Sequence, residues 1–315
     1  MTHDEIIIGH FEGRLFAWQG DYVRKILEHI VPIPVFTRSI APENRDDLVK
    51  VASHIYTNSF SIDLHFHTTI IDAAIRSGEI DCAVVPLEIL PEELPYPLTL
   101  AGVVGRVQHR EVLISRDKVP FAKLPPGASV GVYSLRQVVQ LKHIRGDLSY
   151  VIVPPDAETL LSVTGMKDLA AVVYPESDVK RLSYDALITE TFSEEMILPA
   201  LRQSAFGCVT HRENSAVISA MQHVTDAATL RTTRCEEGFM HDFNPPFDAP
   251  LAGRASVNGD ELRFSVRSID EITLRVFEDE YTSIGDTDAY AFGRECARRF
   301  EQKGGRTPIK RGKAG

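Results

Sequence analysis

The sequence predicts an α/β protein with two doubly wound lobes, a cleft between them, and a small α+β domain at the C-terminal end. Three observations lead to this prediction. Short apolar runs typical of strands alternate with longer amphipathic stretches typical of helices. The alternation occurs twice along the chain, which indicates two parallel sheets with helices on both faces. From Leu251 onward, polar and apolar residues alternate in short segments before one last helical stretch.

The first lobe begins with a strand, a helix and a second strand. Leu15, Trp18 and Val23 recur at helical spacing, and the run Ile80–Val85 has the uninterrupted apolar character of a buried strand. We therefore predict, in chain order, a strand at Glu5–Gly9, a helix at Leu15–Ile30, a strand at Val35–Ser39, helices at Asp46–Ile55 and Thr69–Ser77, and a strand at Ile80–Val85.

The second lobe repeats the pattern, and the turn sequence LPPGAS punctuates it. We predict strands at Glu111–Ser115, Ser129–Val132, Tyr150–Val153 and Leu169–Val173, with helices at Leu135–His143 and after Asp156. In the last domain, the segments LAGRASV, ELRFSV and EITLRVF predict three strands, and a helix is expected at Asp286–Gln302.

Composition excludes several classes of function. The 315 residues carry a net charge of −10, whereas nucleic-acid binding needs a basic surface, so we expect no nucleic-acid partner. No apolar run approaches the roughly 18 residues of a membrane span, and the N-terminal MTHDEIIIGH lacks the features of a secretory leader. The four cysteines are widely separated and form no CxxC pair. We therefore expect a cytoplasmic protein that does not associate with membranes.

Six sequence blocks follow one another in the order and spacing of a known family. They are IIIGHFEGRLFAWQ (Ile6–Gln19), SGEIDCAVVPLEILPEELP (Ser77–Pro95), LPPGASVGVYSLRQVVQL (Leu124–Leu141), VKRL (Val179–Leu182), EEMILPALRQSAFG (Glu194–Gly207) and ATLRTT (Ala228–Thr233). In these blocks the chain resembles hydroxymethylbilane synthase, also called porphobilinogen deaminase. The resemblance implies a monomer with lobes of the periplasmic-binding-protein-like type. It also implies domains at residues 1–105 with 203–224, 106–202 and 225–315.

The sequence departs from the family at its reaction centre. The family motif after the third strand reads HSLKD or HSMKD; its aspartate handles the pyrrole nitrogen, and its lysine helps to hold carboxylates. The same positions here read VPLEI, with Glu88 in place of the lysine and Ile89 in place of the aspartate. Ile89 can neither bear a charge nor transfer a proton, so we expect that porphobilinogen deaminase chemistry is lost.

A second departure concerns the cysteine that carries the family's dipyrromethane cofactor through a thioether. The matching loop here is FNPPFDAPLAG, and Phe247 takes the cysteine position if Pro250 matches the family's proline. Cys235 lies too early in the chain, on a segment predicted to be helical. Without a sulfur nucleophile at this place, we expect no dipyrromethane cofactor.

The carboxylate-binding residues of the family are also reduced. His10 and Phe11 replace the threonine and arginine after the first strand, and Arg136 alone remains of an LRR motif in the second lobe. Each pyrrole ring carries two carboxylates. Burying one carboxylate without a partner costs about several kcal/mol. A polypyrrole is therefore not an expected ligand.

New polar residues stand at the predicted cleft. His10 follows the first strand, His65 and His67 form an HxH pattern in the family's lid segment, and Glu88 borders the same cleft. We consider His10, His65 and His67 as ligands for a divalent metal, and His10, His67 and Glu88 as catalytic acid/base residues without a metal. Eleven histidines make some clustering expected, so exposed residues of an unconstrained loop are the alternative.

Residues on the facing side predict how a ligand is held. Ser134 and Arg136 stand at the start of a predicted helix, where backbone N–H groups and the guanidinium suit a small anionic molecule. Gln19 matches the family and is predicted to contact the substrate. Lys180 and Arg181 match the family's KRL and face either the cleft or solvent.

Three functions are compatible with these patterns. The first is an enzyme of altered chemistry that acts on a small, anionic molecule in the cleft. The second is a non-catalytic binding or regulatory protein that closes on its ligand by hinge bending. The third, an ordinary porphobilinogen deaminase, is disfavoured by Ile89 and Phe247. The grouped imidazoles favour the first.

Overall fold

A computed structural model of the chain describes residues 4–41, 66–106, 109–153, 168–245 and 249–305. The strands are β1 (Ile6–Phe11), β2 (Val35–Ile40), β3 (Cys82–Pro86), β4 (Leu98–Val104), β5 (Glu111–Ser115), β6 (Ser129–Val132), β7 (Ser149–Ile152), β8 (Ala171–Pro175), β9 (Glu190–Thr191), β10 (Phe206–His211), β11 (Leu251–Asn258), β12 (Glu261–Ile269) and β13 (Val276–Ser283). The α-helices are α1 (Arg14–Leu27), α2 (Phe66–Arg76), α3 (Leu135–Ile144), α4 (Glu176–Arg181), α5 (Ser215–Gln222), α6 (Ala227–Phe243) and α7 (Ala289–Gln302).

The first sheet has the strand order β2-β1-β3-β10-β4. Strand β1 runs parallel to β2 and β3, whereas β10 runs antiparallel to β3 and β4. The expectation of an all-parallel sheet is therefore wrong at β10. The reason is that the chain returns from the second lobe at the edge where β3 ends, as the pairing of Phe206 with Pro86 shows, so it must run back through the sheet.

Helices cover both faces of this sheet, which explains why its central strands are apolar throughout. On one face, Ile70 and Ile71 of α2 pack in a core with Val85. On the other face, Val23 of α1 and Val217 of α5 pack in a second core. Each such side chain contributes roughly 1.5–3 kcal/mol by its burial. The cleft edge of the sheet is thus fixed by a core on each side.

The second sheet has the order β7-β6-β8-β5-β9. Strand β6 is parallel to β7 and β8, and β5 is antiparallel to β8 and β9. The strands predicted at Glu111–Ser115 and Ser129–Val132 have the predicted bounds, because both are short apolar runs that are buried on both faces. The prediction of two α/β lobes followed by an α+β domain is confirmed.

The third domain is an antiparallel sheet, β11-β12-β13, against which α6 and α7 pack. The two helices approach closely at glycines: a Cβ atom on Gly293 would lie 1.8 Å from the Cys235 carbonyl oxygen. The third strand begins at Val276, later than the segment EITLRVF predicts. The carboxylate of Asp270 accepts a hydrogen bond from Thr273 N at 2.6 Å and holds a turn there instead.

The sheets draw on separate parts of the chain. The first uses residues 6–104 and 206–211, the second 111–191 and the third 251–283. The exact domain limits given above stay a prediction. The helices predicted at Asp46–Ile55 and after Asp156 lie outside the described residues. Within the described ranges, no helix has the length and apolar character needed to cross a membrane.

Candidate functional site

A pocket between the two lobes lies at the end of β3, and we call it the interlobe cleft. It is formed by α1, by the segment after β3, by the start of α4 and by residues 203–205. The pocket contains about 290 Å³ of space, part of it open to solvent. Because β3 and β8 both end here, polar side chains that follow them converge on the same place.

Glu88 faces this cleft, whereas the residues on either side of it face the core of the first lobe. It is the middle residue of a 3₁₀ turn, Leu87–Ile89. Leu87 and Ile89 are 3% and 4% exposed and belong to the first-lobe core, whereas Glu88 lines the cleft. The turn is anchored by Leu87 N, which donates a hydrogen bond of 3.0 Å to the Ala205 carbonyl oxygen. One carboxylate is therefore displayed between two core side chains.

The surroundings of Glu88 favour its protonated form. Burial raises the pKa of Glu88 to about 8, and the nearby carboxylate of Asp178 adds to the effect. The positive charge of Arg136 acts in the opposite direction but does not cancel these contributions. The carboxyl group can therefore donate a proton at neutral pH and accept one again at slightly higher pH.

Helix α4 supplies the opposite wall of the cleft. Burial raises the pKa of Asp178, which accepts a hydrogen bond from Ser177 Oγ at 3.0 Å. Arg181 lies 3.5 Å from the same carboxylate oxygen of Asp178 and donates to the carbonyl oxygens of Gly105 and Ser204 at 3.0 and 2.8 Å. Arg181 thus ties the second lobe to both connecting segments while it compensates part of the charge of Asp178.

Gln19 of α1 lines the cleft beside Glu88. The side chain is 2% exposed, and its Oε1 atom has no hydrogen-bond partner among the described residues. A buried amide oxygen without a partner costs about 1–3 kcal/mol, so a ligand N–H or O–H group at this place would be stabilised. Its predicted role in substrate contact stays a prediction, and its position is compatible with that role.

The structure places His10 and His67 outside the set of side chains that line the cleft with Glu88. His10 is 9% exposed, and its Nδ1 atom lies 2.8 Å from the Phe11 carbonyl oxygen. His67 is 3% exposed, and its ring lies 5.4 Å from that of Phe11. His65 lies outside the described residues. The described part of the chain contains no group of three or more His, Cys, Asp or Glu side chains suited to a metal ion.

The predicted anion anchor is engaged in a buried ion pair. Arg136 donates to Glu111 Oε1 at 2.6 Å, to the Leu198 carbonyl oxygen at 2.8 Å and to Gln203 Oε1 at 3.3 Å. Ser134 caps α3 by accepting a hydrogen bond from Gln137 N at 3.2 Å. Both residues therefore stabilise the second lobe in this structure, and the charge of Arg136 is compensated by Glu111.

The thiols of the chain are inaccessible. All four cysteines are free and 0% exposed. A hydrogen bond with Cys208, together with burial, raises the pKa of Cys82; burial raises the pKa of Cys235 and brings that of Cys296 to about 12. A buried thiol with a raised pKa is a poor nucleophile. Phe247, which takes the place of the family's cysteine, lies outside the described residues.

Comparison with known proteins decides the family. A family model described as porphobilinogen deaminase, dipyromethane cofactor binding domain, matches residues 6–219. The chain belongs to the porphobilinogen deaminase family. A porphobilinogen deaminase of Syntrophomonas wolfei is 29% identical over 304 residues, which are 95% of each chain. Another, of Shouchella clausii, is 33% identical over 195 residues, or 62% of this chain and 63% of that protein.

Two solved structures are also similar to the chain. Immunogenic lipoprotein A from Vibrio vulnificus covers 71% of this chain and 96% of its own, with 14% identity and a TM-score of 0.43. The periplasmic aliphatic sulphonate binding protein from Escherichia coli covers 76% of this chain and 70% of its own, with 12% identity and a TM-score of 0.40.

Proposed function

We propose that this member of the porphobilinogen deaminase family no longer assembles hydroxymethylbilane and acts instead on a small molecule in the interlobe cleft. Glu88 is its acid/base group. The observation that carries the proposal is the 3₁₀ turn after β3, which displays Glu88 to the cleft and packs Ile89 into the core. Glu88, at the family's lysine position, therefore faces the cleft, whereas Ile89, at the aspartate position, does not.

Two features support the loss of the family's reaction. Ile89 is apolar and 4% exposed, so it cannot stabilise a cationic intermediate. The four thiols are buried and therefore unsuited to hold a dipyrromethane through a thioether. A family member without the charge and without the sulfur lacks the groups on which the reaction depends.

The chemistry that we propose is a proton transfer by Glu88. At neutral pH its carboxyl group is protonated and can donate the proton to a ligand atom that gains negative charge. The carboxylate of Asp178 lies on the facing wall and contributes to the raised pKa of Glu88, because two neighbouring carboxylates cannot both be charged without repulsion. Gln19 Oε1 would orient the ligand by accepting a hydrogen bond from it.

The charges of the described cleft favour a neutral or cationic ligand group next to Glu88. The expectation of an anion rests on the helix start at Ser134 and on Arg136, and the guanidinium of Arg136 is paired with Glu111. Arg181, the one cation among the cleft-lining residues that the structure describes, is shared between Asp178 and two backbone carbonyls. We therefore propose a small molecule whose reacting end is uncharged or a protonated amine.

The alternative is a binding protein without catalysis. Contacts across the lobes are compatible with it: Arg14 of the first lobe donates to the Tyr184 hydroxyl of the second at 2.5 Å, and Arg181 donates to the carbonyl oxygens of Gly105 and Ser204. Such contacts stabilise a closed, ligand-retaining form as well as they stabilise a reactive one.

Ligand-observed NMR on a library of small amines, alcohols and carboxylic acids tests the proposal. The wild type should bind a member that has an amine or neutral polar end and convert it slowly to new resonances. Glu88→Gln should bind the same compound without converting it, and Glu213→Gln, on an exposed loop, should behave like the wild type. Binding without conversion by the wild type would replace the enzyme with the binding protein. Equal conversion by Glu88→Gln would refute the role of Glu88.

A further inference from the structure

A second pocket lies on the other side of the turn that carries Glu88. Its walls are mostly apolar and are formed by Leu87, Leu90, Leu94 and Leu100 of the first lobe, with α6 of the third domain closing it. The pocket contains about 360 Å³ of space, part of it open to solvent. We call it the Arg202 pocket after the one arginine among its described lining residues.

Arg202 is an unusual residue at this position. It is 5% exposed, and within the described ranges its guanidinium donates one hydrogen bond, from Nη2 to the Leu90 carbonyl oxygen at 2.7 Å. Among the described residues, its Nε atom has no hydrogen-bond partner and no carboxylate forms an ion pair with its guanidinium. Burial lowers the pKa of Arg202. Buried charges in proteins are normally paired, whereas this guanidinium has no counterion in the part of the chain that the structure describes.

Glu92 and Glu237 line the pocket with Arg202, and Glu236 accepts a hydrogen bond from the backbone N–H of Arg202; all three carboxylates already have basic partners. Glu236 lies 2.7 Å from Arg106, and Glu237 lies 2.8 Å from Arg234. The third, Glu92, is paired with His241. These carboxylates favour the charged form of Arg202 at a distance, but none of them contacts its guanidinium.

The backbone conformation of Arg202 also indicates a functional role. Its φ angle is +61°, in the left-handed region that favours glycine. A long charged side chain at such a position has a conformational cost, and such strain occurs preferentially at functional sites. Glycine would fit this turn better than arginine if the side chain had no role.

We propose that the Arg202 pocket binds a small organic carboxylate with an apolar body. The carboxylate would accept hydrogen bonds from Nε and the adjacent guanidinium nitrogen, the geometry in which arginine binds carboxylates best. The apolar body would lie against the four leucines. This site is separate from the interlobe cleft, but it adjoins the turn that carries Glu88, because Leu87 begins that turn and Leu90 follows it.

Isothermal titration calorimetry on the full chain, with hexanoate as the probe, tests this site. Hexanamide and hexylammonium have the same apolar body without the negative charge and should bind about tenfold more weakly or not at all. Arg202→Met keeps an unbranched apolar side chain and should weaken hexanoate binding by about tenfold or more. Arg263→Met, at an exposed position on the central strand β12 of the third domain, is the control and should leave binding unchanged.

Arg202→Gly provides a second variant, because glycine accepts the backbone angle without strain and should fold even if Arg202→Met does not. It should lose hexanoate binding in the same way. The proposal is overturned if hexanoate does not bind the wild type at millimolar concentration. It is also overturned if either Arg202 variant binds hexanoate like the wild type, or if hexanamide binds equally well.

Discussion

Replacing Glu88 with glutamine should change how the stability of the protein depends on pH. The pKa of Glu88 is about 8 in the folded chain, compared with 4.5 for an ordinary glutamate. Below pH 4.5 the carboxyl is protonated in both states, so folding does not depend on its ionisation. As the pH rises from 4.5 to about 8, the unfolded chain loses the proton and the folded chain keeps it, so the wild type loses stability over this window.

This loss of wild-type stability is about 5 kcal/mol at most. It is smaller in practice, because the cleft is partly open to solvent. Glu88→Gln cannot ionise and should lack this loss. Urea unfolding from about pH 5 to about pH 9 measures the free energy of unfolding of both proteins. The difference between them should increase by a few kcal/mol in favour of Glu88→Gln across this range. Parallel curves for the two proteins would refute the raised pKa of Glu88. Glu213→Gln, at an exposed position, serves as the control.

Three further outcomes are expected. Arg136→Met should lower the free energy of unfolding by about 3–5 kcal/mol in urea titrations, because it leaves the buried carboxylate of Glu111 unpaired; a change below about 1 kcal/mol would contradict the buried pair. Ile89→Asp should cost about 3 kcal/mol or more, whereas Ile89→Val should cost about 1 kcal/mol; equal stability of Ile89→Asp and the wild type would show that residue 89 faces the cleft. The four thiols should react with an aromatic disulfide reagent only in denaturant, and rapid labelling of the folded chain would contradict their burial.

Much of the fold can be predicted from local pattern. Strands β5 and β6 are short apolar runs between polar turns, and their ends coincide with the ends of those runs. Strand β10 was not predicted, because its partners β3 and β4 lie more than 100 residues earlier in the chain and nothing local sets its direction. The alternating residues after Asp270 predict a strand, whereas the carboxylate of Asp270 holds this segment in a turn.

The residues of the candidate site can likewise be predicted only in part from local sequence. Glu88 is predicted because it follows a recognisable buried strand, and the structure places it in the cleft. Asp178 was missed, because the segment ESDVKR reads as a polar helix surface and only packing against the first lobe buries it. The pairing of Arg136 with Glu111 joins a helix and a strand 25 residues apart, so a sequence pattern gives no sign that the guanidinium is already engaged.

Intact-protein mass spectrometry after incubation with porphobilinogen tests the central claim most directly. The account predicts the mass of the polypeptide alone, before and after incubation, and no hydroxymethylbilane in solution. A related deaminase with its cofactor, treated in the same way, should show the added mass of dipyrromethane and form the product. A dipyrromethane adduct on this chain, or formation of hydroxymethylbilane, would contradict the account.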